Sequence, residues 1–224
     1  MSKLFIIPTP VGNLEDISLR AIRILNEADL VLCEDTRVTG KLFKRYDIET
    51  RMLSYHQHNE HRLHETIVSR IAGGEVMAMV SDAGMPGISD PAFLLVRACV
   101  RYGVPVEALP GPTAFIPALV ASGIPCDRFC FEGFLPVRKG RKTRLESLLG
   151  ESRTMVFYES PHRLVKTLKE LSDFLGPDRP ACVSREISKL HETHHRGSLA
   201  DLHAEFAANT VKGEITIVIA GKDG

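Results

Sequence analysis

Short apolar runs alternate with amphipathic stretches through the first half of the chain. Residues 4–8, 30–33, 76–80 and 104–109 are nearly continuous in apolar character and brief, the pattern of parallel strands buried on both faces. Residues 51–55 form a further strand candidate. Between these runs Ile17, Ala21, Ile24, Leu25 and Ala28 share one helical stripe. Leu63, Ile67, Val68 and Ile71 share another, closed by Gly73-Gly74, and residues 91–102 predict a third helix ending at Gly103. Strand and helix in alternation predict βαβ units on a parallel sheet. Residues 114–121 are apolar nearly all round, which predicts a buried helix.

The texture changes after Ser122-Gly123-Ile124-Pro125. Strand-like runs at 129–134, 154–158, 181–184 and 214–220 are joined by helical patterns at 141–149, 161–175 and 199–208. The middle helix places Leu164, Leu168, Leu171 and Leu175 on one face and stops at Gly176-Pro177. The prediction is two α/β domains, 1–122 with a mostly parallel sheet and 123–224 with a mixed one.

Polar chemistry gathers just after the predicted strands, where an open α/β sheet binds its ligands. Thr9-Pro10-Val11-Gly12-Asn13-Leu14 follows the first strand, Glu34-Asp35-Thr36-Arg37 the second, and Pro110-Gly111-Pro112-Thr113-Ala114 the last of the first half. The most organised is Ser81-Asp82-Ala83-Gly84-Met85-Pro86-Gly87-Ile88-Ser89-Asp90-Pro91. Gly84 and Gly87 permit close backbone approach, Pro86 stiffens the path, and Asp90-Pro91 has the chemistry of a helix N-cap and first residue. This loop matches neither G-x-x-x-x-G-K-[ST] nor G-x-G-x-x-G, which argues against a nucleoside triphosphatase and an ordinary dehydrogenase.

Composition narrows the partners. The 224 residues carry a formal net charge of zero, so nucleic acid is not held by bulk electrostatics and any contact needs a local patch. The one strong patch is Arg138-Lys139-Gly140-Arg141-Lys142-Thr143-Arg144. The five cysteines are scattered with no C-x-x-C pair, and His56, His58 and His61 fit no standard ligand spacing, so reduced thiols and no metal site are expected. No apolar run is long enough to span a bilayer and no signal-peptide pattern opens the chain, which predicts a cytoplasmic location. In the second half Tyr158-Glu159-Ser160-Pro161-His162-Arg163 and Ser184-Arg185-Glu186 again put charge after a strand.

Taken in order, Pro8-Thr9-Pro10-Val11-Gly12-Asn13-Leu14, Glu34-Asp35-Thr36-Arg37, His58-Asn59-Glu60, the 81–91 loop, Leu109-Pro110-Gly111-Pro112, Phe134-Leu135-Pro136, Phe157-Tyr158-Glu159-Ser160-Pro161-His162-Arg163 and Arg185-Glu186 resemble the tetrapyrrole methylase superfamily. The resemblance covers nearly all of the sequence and is to the members that methylate the ribose 2′-hydroxyl of a cytidine in 16S rRNA. It implies a class III methyltransferase of two α/β domains with the S-adenosylmethionine cleft between them. It implies cofactor contacts at Pro10, Ser81, Asp82, Ala83, Met85, Thr113, Ala114, Tyr158 and Arg185, and a homodimer. Longer members carry a C-terminal helical extension, whereas this sequence ends at Gly224.

Charge at strand ends nominates Asp35 and Glu159 as general bases, with Arg37 and Arg163 placing the nucleotide. His58, Asn59, Arg138, Lys139, Arg141 and Lys142 are the expected substrate contacts, on 16S rRNA within the assembled small subunit. A corrin-precursor methylase and a non-catalytic cofactor-binding RNA adaptor are the alternatives.

Overall fold

A computed structural model describes residues 2–222, which divide into two compact units, residues 1–113 and 114–224. The first unit holds a five-stranded sheet of β1 (Lys3–Ile6), β2 (Leu30–Cys33), β3 (Met52–Ser54), β4 (Val76–Val80) and β5 (Val106–Ala108), in the order β3-β2-β4-β1-β5. Every pairing is parallel, as continuous apolar strands require. Its helices are α1 (Leu19–Glu27), α2 (Thr36–Arg45), α3 (Glu60–Ala72) and α4 (Phe93–Arg101).

Alternate strand residues feed two cores. Ile7, Val31, Cys33, Ala78 and Val80 pack with Ala21, Ile24 and Leu25 of α1 and Leu42 and Phe43 of α2. Leu4, Ile6, Leu32, Met77 and Met79 pack with Ile67, Val68 and Ile71 of α3 and Leu95 and Cys99 of α4. The chain leaves β1 for β2 by way of α1, and leaves β4 for β5 on the opposite face by way of α4. The neighbours β1 and β4 therefore diverge at their carboxyl ends, the topological switch point of the sheet.

The second unit contains α5 (Phe115–Ser122), β6 (Phe129–Phe134), α6 (Arg141–Ser147), β7 (Thr154–Glu159), α7 (Leu164–Leu175), β8 (Pro180–Arg185), β9 (Thr193–Ser198), α8 (Leu199–Ala207) and β10 (Ile215–Ile219). Its sheet is mixed, in the order β6-β7-β10-β8-β9, with only β6 and β7 parallel. Helices α6, α7 and α8 bury one face through Leu145, Leu164, Leu168, Leu171, Leu202 and Phe206.

Three features depart from the sequence pattern. Helix α5 packs on β7, β8, β9 and β10, so it belongs with the second sheet although the apolar pattern places it at the end of the first half. Strand β9 is polar, Thr-His-His-Arg-Gly-Ser, and forms because an edge strand can leave half its side chains in water. Helix α4 begins at Phe93 behind Ala92, so Asp90 does not cap it.

Candidate active site

The loops after β1 and β4 are tied together at the switch point. Thr9 and Gly84 exchange both backbone hydrogen bonds at 2.9 Å, and the Thr9 hydroxyl donates to the Ser81 carbonyl at 3.0 Å. Ser81, buried, points its hydroxyl back at the carbonyls of Ala83 and Gly84. Gly84 sits at φ 79°, a conformation that glycine adopts without strain. Across the neighbouring strand, a Cβ on Gly111 would lie 2.4 Å from Cγ of Pro8, so the β1 and β5 loops approach each other as only glycine permits. These turns make a rigid rim of main-chain groups, which includes the predicted positions Ser81, Asp82, Ala83 and Met85; Pro10 lies one residue beyond Thr9 and is partly buried.

A carboxylate cluster lines this edge. Asp82 accepts the backbone N–H of Asp35 at 3.0 Å and so joins the ends of β4 and β2. Burial, then the nearby Asp35 charge, raises Asp82; burial and the Asp82 charge raise Glu34. Asp90 is pushed up to about 6, chiefly by burial and then by the charge of Glu34, with the Ser81 hydroxyl bonding its carboxylate in opposition. His56, beyond β3, is close enough to Glu34 to lower it, and its buried Nδ1 has no hydrogen-bond partner.

Asp35 and Arg37, nominated for chemistry, are bound to each other. Asp35 is the N-cap of α2, taking the Arg37 N–H at 2.8 Å, and its carboxylate is gripped by the Arg37 guanidinium at 2.6 and 3.0 Å. Those bonds hold Asp35 at about 2. A carboxylate so stabilised in its charged form is a poor proton acceptor. Asn59 is also occupied locally: its amide accepts from His56 N–H and donates to the Ser54 carbonyl, closing the turn before α3, while His58 is exposed. Thr113 reaches only the Gly111 carbonyl, at 3.4 Å, and Ala114 precedes α5.

In the second unit the nominated charges are largely structural. Glu159, 3% exposed at the end of β7, accepts from Ser160 N–H, from Arg163 and from the Thr167 hydroxyl at 2.6 Å. Arg163 also donates to the Leu135 carbonyl. Arg141 is a correction to the expected phosphate patch. It is 6% exposed and its guanidinium is spent on Glu170 at 2.7 Å, Thr167 at 2.7 Å and the Pro136 carbonyl at 3.1 Å. One continuous network therefore runs Arg163–Glu159–Thr167–Arg141–Glu170. Lys142 leans toward Glu146 at 3.7 Å and Arg144 pairs with Glu132, whereas Arg138 and Lys139 are exposed. Arg185 donates to the Lys212 carbonyl at 2.8 Å, and Tyr158 packs edge-on to Phe131.

Sequence reasoning passed over Glu34, His56 and Asp90. Glu34 stands in the same charged run as Asp35, and Asp90 reads as a cap because a proline follows it. The signal was their shared position after neighbouring strands.

Residues 3–203 match the family model for tetrapyrrole (corrin/porphyrin) methylases. The chain belongs to the tetrapyrrole methylase family. This methylase is 47% identical over 222 residues to a protein named ribosomal RNA small subunit methyltransferase I from Synechocystis, covering 99% of this chain and 80% of that one. It is 44% identical to the protein of that name from Thermotoga maritima, over the full length of both. Among solved structures it resembles the methyltransferase CobJ, with a TM-score of 0.71 at 20% identity, covering 99% of this chain and 95% of that one. It also resembles a uroporphyrin-III-C-methyltransferase from Thermus thermophilus, with a TM-score of 0.69 at 20% identity, covering 99% and 95%. At such identity these two show the fold.

The methyl donor of this methylase is S-adenosylmethionine. The edge described above fits that group. Its sulfonium and ammonium are cationic and meet the carboxylates of Glu34, Asp82 and Asp90, while the unpartnered His56 Nδ1 and the glycine turns offer polar groups at close range.

Proposed function

We propose that this methylase transfers a methyl group to the ribose 2′-hydroxyl of a cytidine in 16S rRNA. The observation that carries the reading is 44–47% identity, along essentially the whole chain, to proteins named ribosomal RNA small subunit methyltransferase I. Tetrapyrrole substrates enter only through structural relatives at 20–22% identity, which speak to fold.

When bound, S-adenosylmethionine supplies a methyl group activated by its sulfonium. The chain's own contribution is to orient the hydroxyl, exclude water and take up a proton. The rim at Pro10, Ser81, Asp82, Ala83 and Met85 holds the donor mainly through main-chain groups, and Thr113, Ala114, Tyr158 and Arg185 are further proposed contacts. Asp90, with a pKa of about 6, takes the proton from the ribose hydroxyl, since its basicity is nearest the working pH. Asp35 and Arg37 act as a fixed pair that braces the β2 end against Asp82. Glu159 and Arg163 hold the β7 end in place. Arg138, Lys139, Lys142 and His58 are the proposed substrate contacts. The enzyme works on a small subunit in the cytoplasm, as a homodimer.

Radiolabelled donor incubated with unmodified small subunits, followed by nucleoside analysis, tests the reading. Label recovered in 2′-O-methylcytidine is the expected result; label in no nucleoside, or on a base, overturns it.

A further inference from the structure

With Arg141 buried and Arg144 paired, the 138–144 patch presents fewer free cations to RNA than its sequence promises. Free cations occur elsewhere on the first unit. Helices α3 and α4 lie side by side, and the surface groove between them encloses about 470 Å³. Its lining includes Arg97 and Arg101, one turn apart on α4, His61 and His64 on α3, and the ring of Tyr102. Among the described residues neither arginine has an ion pair or hydrogen bond. Arg97 only lies over the Phe93 ring, 5.0 Å from its centroid. Phe93 and Tyr102 are 64% and 60% exposed, a large aromatic surface for side chains that usually bury themselves.

Tandem unpaired guanidiniums beside exposed rings are the combination that binds an unpaired RNA segment, with cations on phosphates and rings under bases. We infer that the α3–α4 groove is an RNA-docking surface that grips a single-stranded segment of the rRNA through Arg97, Arg101 and Tyr102, apart from the strand-end site. This rests on the proposed rRNA substrate. Charge complementarity selects the occupant: the groove's one carboxylate, Glu65, is outnumbered by the two arginines. Glu65 opposes the anion, so its removal tests the inference with the opposite sign.

The experiment measures binding of transcribed 16S rRNA to the intact chain with its donor, from 50 to 200 mM salt, alongside donor titration and sedimentation. Arg97→Gln with Arg101→Gln should lower the slope of log affinity against log salt by about 1.4, about 0.7 for each phosphate released on a single strand. Donor affinity should stay at the wild-type value. Tyr102→Ala should weaken RNA binding without changing the slope, and Glu65→Gln should strengthen it. An unchanged slope in a double variant that binds donor normally overturns the groove assignment while leaving methylation by the wild type intact. A double variant that alters the oligomeric state instead assigns the groove to a second copy of the chain and overturns the inference. A wild-type chain that neither binds nor methylates rRNA removes the functional reading and the groove together.

Discussion

Asp90 is the residue on which structure and chemistry can be tested in one substitution. Its carboxyl is displaced from 3.8 to about 6 by burial and by Glu34, so the folded chain holds this proton more tightly than the unfolded chain does. Between those two pH values the folded state binds more protons, and stability falls as pH rises. The gap at about 1.4 kcal/mol per pH unit sets a ceiling of about 3 kcal/mol, and partial solvent exposure screens this to about 1–2 kcal/mol. Asp90→Asn removes that penalty. Urea unfolding should find the variant's advantage over wild type growing by about 1–2 kcal/mol between pH 4 and pH 7, while methyl transfer falls about 100-fold or more. Wild-type turnover should rise with pH through about 6 and then level off. A stability difference that does not change with pH, together with turnover close to wild type, would refute both the burial argument and the proton-acceptor role.

Glu159→Ala strands the Arg163 and Arg141 network, and should destabilise the second unit by about 3 kcal/mol, read as a lowered denaturation midpoint. Gly111→Ala forces Pro8 away from the β5 loop, and should cost about 1–3 kcal/mol and weaken donor binding in a calorimetric titration. Replacing exposed Arg138 and Lys139 with glutamine should flatten the salt dependence of rRNA binding, whereas Arg141→Gln should lower the melting temperature instead.

Wherever burial on both faces dictates residue type, the fold is legible along the chain. Strands β1, β2 and β4 are all apolar because helices cover both sides of them, and the stripes of α1, α3 and α7 mark their inward faces. The order of loops after the strands is equally local, and it carries the family resemblance. Local pattern has no access to which sheet α5 covers, because a helix that is apolar nearly all round fits either one. The polar edge strand β9 lacks the signal altogether, since its hydrogen bonds to β8 satisfy the backbone whatever the side chains.

Charged residues divide in the same way. From the sequence alone Arg138, Lys139, Arg141 and Lys142 are equivalent cations on one basic stretch; packing turned Arg141 inward, because Thr167 and Glu170 of α7 stand where its guanidinium can be fully bonded. Asp35 and Asp90 both follow strands and look alike on paper. Contacts fixed only in three dimensions gave one an arginine and the other a buried, acidic neighbourhood, and so set one near 2 and the other near 6. The identity of an ionisable group is covalent, but its basicity is the free energy of its surroundings, and those are assembled from segments far apart in the chain.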